Sequence, residues 1–360
     1  MHRFRTALLM AASASALLAQ APQFDVIPVA ATATDLVSYE WIAGASRPLR
    51  QQTLIGANHM TGLVGRTLHA LELRRNAANE VYQGGTLALT VTLSIAPHAP
   101  LQATNTFVNN IGANAVQVFS GSLTLPTSPA TTSATVPWTA NNILRIPFTT
   151  PFLYLGGPLC IDVVGTPVAG QNANWWMADA MFEDIAGTRT NLGGGCGAYG
   201  GPNHEWSNVA ERSLLPGAYA RFFAFGPPLS FGLAAFGTKA PVGIPMSALG
   251  FPSGPGCDLM LGSVDALFLE MFEPETHPGL LARGGMAEVR IKIPADPSVF
   301  GATLSTQWLE WSQMATSNAI EWTVASAIPT LDMALLEGHP QEATGELTVH
   351  LAHVVRFESQ

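Results

Sequence analysis

The stretch "TLALTVTLSI" at residues 86–95 alternates without a break. Leu87, Leu89, Val91, Leu93 and Ile95 fall on one side, and Thr86, Thr90, Thr92 and Ser94 on the other. A period of two belongs to a strand, whose successive side chains point to opposite faces, and a single apolar side means that one face is buried. The same period recurs along the chain. In "PLCIDVVG" (158–165) Leu159, Ile161 and Val163 oppose Cys160 and Asp162, and in "AEVRIKIP" (287–294) Val289, Ile291 and Ile293 alternate with Glu288, Arg290 and Lys292. In "GELTVHLAHVVRFE" (345–358) Leu347, Val349, Leu351, Val355 and Phe357 share a face, which predicts one long C-terminal strand.

Between these runs lie clusters of Pro, Gly, Ser and Asn: "LSIAPHAPLQATN" (93–105), "SLTLPTSPATTSATVP" (122–137), "AFGPPLS" (224–230) and "ALGFPSGPG" (248–256). Such clusters mark turns. With 34 Gly and 26 Pro, and no regular helical pattern between the strands, the chain predicts an all-β fold of antiparallel β-sandwiches, jelly-roll or immunoglobulin-like, rather than a parallel α/β sheet. A length of 360 residues fits two domains. The sharpest change of composition is "NLGGGCGAYGGPN" (191–203), so the expected order is a signal peptide at 1–21, one sandwich at 22–195, and a second at 196–360 with an extra C-terminal strand. The run "VDALFLEMFEPE" (264–275) fits a short helix or a strand.

The first residues predict the compartment. His2, Arg3 and Arg5 precede an apolar run from Ala7 to Ala19 that is too short to span a bilayer, which is the form of a secretory leader. Ala19-Gln20-Ala21 has the small-x-small form of a cleavage site; Pro22 would hinder that cut, leaving Ala16 and Ala19 as alternatives. No later run is long enough for a membrane helix, so the mature chain is expected to be secreted, extracellular or periplasmic. Export permits disulfides, and Cys196 can pair with Cys160 or with Cys257, the leftover thiol being either buried or joined to another chain. Charged residues are only 11% of the chain, the net charge is −9, and Lys occurs only at 239 and 292. A chain with no basic stripe is a poor partner for nucleic acid.

Several segments together resemble a large group of uncharacterised secreted proteins common in planctomycete bacteria. "GPGCDLML" (254–261), "AEVRIKIPADPSVFGATLSTQW" (287–308) and "EWTVASAIP" (321–329) resemble their C-terminal domain, with a Gly-Cys-x-Leu step before an "xIPxxPxxxGAxLxxQ" hairpin and a Thr-bearing strand. "LHALELRR" (68–75), "NTFVNNIGANAVQVFSG" (105–121), "TTPFLYLGGPLCIDV" (149–163) and "NWWMADAMFEDIAG" (174–187) follow the order of their N-terminal partner. The likeness covers most of 47–330 and stops after Pro329. It implies two β-sandwich domains outside the cytoplasm and carries no activity or catalytic residue.

Templates for chemistry fail one by one. His350 and His353 sit three apart, so a strand sends them to opposite faces, with His353 among apolar neighbours and His350 expected in solvent. His204 and Glu205 open an HExxH motif that Asn208 does not complete, and the residues around Ser253 lack nucleophile-elbow spacing. Asp179, Glu183 and Asp184 are candidate Ca²⁺ ligands, since that ion takes hard oxygen donors, although EF-hand spacing is missing. Trp175 and Trp176 are adjacent, so in a strand one packs inward and the other faces out, where an aromatic ring can stack on a sugar or a partner surface; the competing reading, which the packing favours, puts both at the sandwich rim or domain junction. In "MAEVRIKIPADPSVFGATLSTQWLEW" (286–311), Pro294 and Pro297 mark the turn, Asp296 is placed to bond the local backbone, and Trp308 or Trp311 is the natural partner of Ile291 and Ile293.

The leading expectation is a non-catalytic secreted protein that contacts an extracellular polysaccharide or a surface protein. A secreted hydrolase with Asp162, Asp179, His204 and Glu205 near the domain boundary is the alternative. The third reading is a structural subunit that assembles through edge strands, the C-terminal one first.

Overall fold

The computed structural model describes residues 21–360 apart from Val37, Thr132, Ala134 and the segments 171–176, 197–206, 253–255 and 275–283. The leader, Trp175, Trp176, His204, Glu205 and Ser253 therefore lie outside the described residues. The fold is all-β, and every strand pairing is antiparallel.

Sheet 1 has six strands in the order Glu346–Thr348, Met333–Gly338, Leu49–Ile55, Leu159–Pro167, Gly85–Ile95 and Val116–Leu125. Sheet 2 runs Gln23–Ile27, Val355–Ser359, Thr67–Arg74 and Ile143–Leu153. The alternation read at residues 86–95 sets how the two meet: Leu87, Leu89, Val91 and Leu93 are buried in one apolar cluster with Leu68, Leu71, Ile146 and Phe357 of sheet 2. Burying each such side chain contributes about 1.5–3 kcal/mol. On the outer side of sheet 2 the buried Glu72 accepts from Arg145 Nη1 (2.8 Å) and Arg356 Nε (2.6 Å), and the Arg356 guanidinium stacks on the Trp138 ring (4.5 Å). A small sheet 3, Ser38–Glu40, Ala178–Phe182 and Leu351–His353, flanks this pair.

The chain between Thr188 and Thr323 builds a second set. Sheet 4 runs Thr188–Gly193, Ala319–Thr323, Thr303–Glu310, Phe231–Gly237 and Ala266–Met271, with Ala315–Thr316 attached to its middle strand. Sheet 5 runs Ser207–Val209, Tyr219–Gly226, Gly285–Lys292 and Glu273–Pro274. Phe222, Ala287 and Val289 of sheet 5 share a cluster with Phe236, Trp308, Ile320 and Trp322 of sheet 4. The run at 264–275 is thus a strand in its first part, not a helix.

Met286 to Trp311 is not a hairpin. Its first strand pairs in sheet 5 with Tyr219–Gly226, while its second pairs in sheet 4 with Phe231–Gly237 and Ala319–Thr323. The connection crosses from one layer to the other, because Val289 and Trp308 both need the space between them. The turn chemistry holds: Asp296 accepts from Ser298 N at 2.7 Å, and Pro297 opens a single 3₁₀ turn. Trp308 is the buried tryptophan of that stretch, in the cluster that also holds Ile293, and Trp311 is exposed.

Strand 303–310 is covered on its second face as well. The ribbon of Lys239–Pro245 and Asp258–Leu261 lies over it, and the buried Gln307 carboxamide ties the two together, donating to Asp258 O (2.8 Å) and Ser317 O (2.9 Å) and accepting from Met260 N (2.8 Å). Cys196 is bonded to Cys257 beside this ribbon, and Cys160 is a buried free thiol.

The last run does not form one strand added to the second half. Glu346–Thr348, Leu351–His353 and Val355–Ser359 are three short strands in sheets 1, 3 and 2. Met333–Gly338 pairs with Leu49–Ile55, and Val355–Ser359 is bonded on both sides, to Gln23–Ile27 and to Thr67–Arg74. The chain after residue 330 therefore returns to the strands of the first half, and its final strand offers no free edge.

Candidate functional site

The outer face of sheet 1 explains why its strands carry apolar residues on both sides. Leu54, Cys160, Ala334 and Leu336 turn away from sheet 2 and form a cluster with Phe107, Leu347 and Val349 and with Leu215, Ala218 and Ala325 of the second half. Polar links cross the same seam. Lys292 Nζ donates to Ala103 O (2.9 Å) and to Gly217 O (2.5 Å), with its charge 4.7 Å above the Tyr219 ring, and burial pulls its ammonium down to about 8. Gly217 sits at φ +86°, where a side chain is strained, and an added Cβ would meet Leu101 O at 3.1 Å.

Beside this seam opens a pocket of about 250 Å³ whose walls come from both halves. Ser38, Glu40, Phe182 and Leu351 come from sheet 3; Tyr219 and Arg221 from sheet 5; Arg212 and Ser213 from the 3₁₀ turn Glu211–Ser213; and Glu346, Thr348 and His350 from the returning tail. Its two arginines differ. Arg221 is held by Glu288 through two bonds (3.1 and 3.0 Å) and reaches Glu346 Oε1 at 2.5 Å, so it braces the seam. Arg212 is largely exposed at the rim, its guanidinium 4.5 Å from the Phe182 ring centre and 3.7 Å from Asp184. Such an exposed ion pair contributes at most about 1 kcal/mol, so Arg212 is free to take another partner.

His350 is the singular residue. It was expected in solvent but is 3% exposed, because the face opposite His353 is covered by the second half. Both of its ring nitrogens are buried and lack a hydrogen-bond partner among the described residues. The ring lies 5.0 Å from that of Phe182. Burial, then the nearby Arg212 charge, push its pKa down to about 4, so the ring is neutral at pH 7 and offers one donor and one acceptor. Glu40 moves the other way: burial, then the Glu337 carboxylate, raise it to about 7. His353 lies on the inner side, with Nε2 3.1 Å from Trp41 O and Nδ1 3.4 Å from Thr53 Oγ1.

The acids singled out in the sequence do not converge. Asp179 is fully buried, where Arg74 Nη2 (2.5 Å) and Leu36 N (3.0 Å) donate to it, and burial lifts its carboxyl to about 6. Glu183 accepts from Thr330 N (2.7 Å), Thr330 Oγ1 (2.8 Å) and Leu331 N (2.9 Å), tying down the turn that starts the returning tail. Asp184 faces solvent. Among the described residues no three His, Cys, Asp or Glu side chains gather as a metal site. Asp162 is engaged by Arg50 (3.0 and 2.7 Å), so neither it nor Asp179 reaches the pocket. Sequence reasoning missed Glu40, Arg212 and Tyr219, which are scattered along the chain and meet only through the seam.

No protein-family model and no curated protein matches the chain. Among solved structures it shows a distant likeness to the infectious bursal disease virus VP2 subviral particle, at 8% identity and TM-score 0.14, over 94% of this chain and 71% of that one. Another is the T=1 Penaeus vannamei nodavirus, at 11% identity and TM-score 0.12, over 94% and 97%. Among the described residues no helix is long and apolar enough to cross a membrane.

Proposed function

We propose that this chain is a secreted, non-catalytic binding protein: a signal peptide followed by two sandwich domains, jelly-roll or immunoglobulin-like, that hold one saccharide unit of an extracellular polysaccharide in the pocket between them. The observation that carries this reading is His350, a buried ring with both nitrogens unpartnered on the pocket wall. Leaving such atoms unsatisfied costs about 1–3 kcal/mol each, which a ligand hydroxyl recovers once the His350 ring turns a nitrogen from its buried position toward the pocket. The rest of the lining suits the same ligand. Glu40 and Glu346 accept from hydroxyls, Arg212 donates a planar fork to adjacent ones, and Phe182 and Tyr219 give ring faces for C–H groups. A sugar ring fits about 250 Å³. Calcium has no part in this contact, since the Asp179 and Glu183 carboxylates are already engaged by protein donors.

The test is an array of glycans and polysaccharides, probed with the full chain with and without Ca²⁺, beside Arg212→Ala and His350→Gln. A saturable signal that is independent of Ca²⁺ and falls about tenfold or more in both variants supports the reading, whereas an unchanged signal in the variants, or none with the wild type, overturns it.

One observation favours the hydrolase. Glu40 and Glu346 share the pocket, and the burial that raises Glu40 leaves it able to carry a proton near pH 7 while Glu346 is held by Arg221. Two carboxyls in different environments are the usual equipment for glycosidic cleavage. Release of reducing ends from an array-positive glycan, lost in Glu40→Gln, would replace the binding reading with this one.

A further inference from the structure

Strand Ala266–Met271 is the last of sheet 4: Phe231–Gly237 pairs with one side of it, and no described strand pairs with the other. The hydrogen bonds tell which peptide groups face the open side. Phe272 N donates to Ser230 O (2.9 Å) and Trp311 N to Phe231 O (2.9 Å), so residues 230, 232, 234 and 236 turn their peptide groups toward this strand. Their partners are Glu270, Phe268 and Ala266. The groups left facing outward along the edge belong to Leu267, Leu269 and Met271.

Those three residues also present apolar side chains to solvent, at 55%, 63% and 41% exposure. Phe231, across from Met271, and Trp311 extend the same apolar face. Edges are ordinarily guarded by Lys, Pro, a bulge or an outward charge. Here the one charged residue of the strand, Glu270, alternates onto the opposite face.

We infer that this edge pairs, antiparallel about a two-fold axis through Leu269, with the same strand of a second copy of the chain. In an antiparallel pair, residues directly opposite share a face. With Leu269 on the axis, Leu269 of one copy meets Leu269 of the other and Leu267 meets Met271, each facing pair exchanging both of its N–H···O bonds. A slip of one residue sets Leu269 opposite Glu270 and puts the peptide groups out of phase. The strand is thus complementary to itself, which is what a two-fold contact requires. The pairing covers the edge backbone with the flanks of Leu267, Leu269 and Met271, while Phe231 and Trp311 stand one and two strands behind it, so the contact falls below the about 1,000 Å² of a stable specific interface and belongs to the weak, reversible class.

A cysteine at the axis tests the register. Facing Cα atoms of a hydrogen-bonded pair lie about 5.5 Å apart, within disulfide range. Cys160 is buried and the other two cysteines are bonded to each other, so an introduced thiol reacts alone. Leu269→Cys in the full chain cross-links to a dimer under mild oxidation; Leu267→Cys alone does not, and a mixture of Leu267→Cys with Met271→Cys does. By light scattering the wild type dimerises at tens of micromolar, and Leu269→Lys weakens the dimer about tenfold or more without changing its melting temperature when dilute. A wild type that stays monomeric at about 100 µM overturns the inference, and so does cross-linking of Leu267→Cys as fast as Leu269→Cys.

Discussion

At the scale of single residues, periodicity tells which face a side chain takes but not what lies against that face. His350 and His353 show the difference, since both fall on the sides that the strand period assigns and yet both are buried. Burial lowers each pKa to about 4, against the ordinary 6.5. Between pH 6.5 and 4 the unfolded chain therefore binds protons that the folded chain refuses, so each ring's contribution is complete above pH 6.5 and is lost as pH falls. The raised carboxyls of Asp179 and Glu40 have the opposite sign, so the histidine part is isolated by comparison. Between pH 7.5 and 4.5, His353→Gln loses about 2–3 kcal/mol less stability than the wild type, measured by urea melts. Removing one partner of the buried Arg74–Asp179 pair leaves a charge without compensation. Asp179→Ala costs about 3–5 kcal/mol in the same melts, and Ca²⁺ restores none of it.

The strands themselves were legible as elements. Residues 86–95, 158–165 and 287–294 alternate as read because each presents one face to a core. Their partners were not legible, since pairing between strands tens of residues to more than a hundred apart leaves no local mark. The crossing of 286–311 between two sheets looks like a hairpin in sequence for that reason. The C-terminal run looks like one strand because nothing in "GELTVHLAHVVRFE" breaks the period where the chain bends at Val349–His350 and Val354. The cysteines left two pairings open, and the bond of Cys196 to Cys257 is the one that fastens the ribbon over strand 303–310. Those cysteines lie 61 residues apart, so opening the loop with Cys257→Ser costs about 4 kcal/mol in denaturant melts.

At the scale of the whole molecule, the return of the tail makes the seam. The chain leaves the first set of sheets, builds the second, and comes back as Met333–Gly338 and Val355–Ser359 at interior positions of sheets 1 and 2. A chain ending at residue 354 lacks a strand that is bonded on both sides, and it is expected to lose its cooperative melt altogether. That return also brings Glu346, Thr348 and His350 against Arg212 and Tyr219, groups that no stretch of sequence places together. The most direct test of a saccharide held in this pocket is hydrogen–deuterium exchange of the full chain with the glycan that binds it most strongly. Protection confined to 210–221, 346–351 and the strand Ser38–Glu40, on both sides of the seam, is the predicted result. Protection elsewhere, with these segments exchanging as in the free protein, would contradict the account.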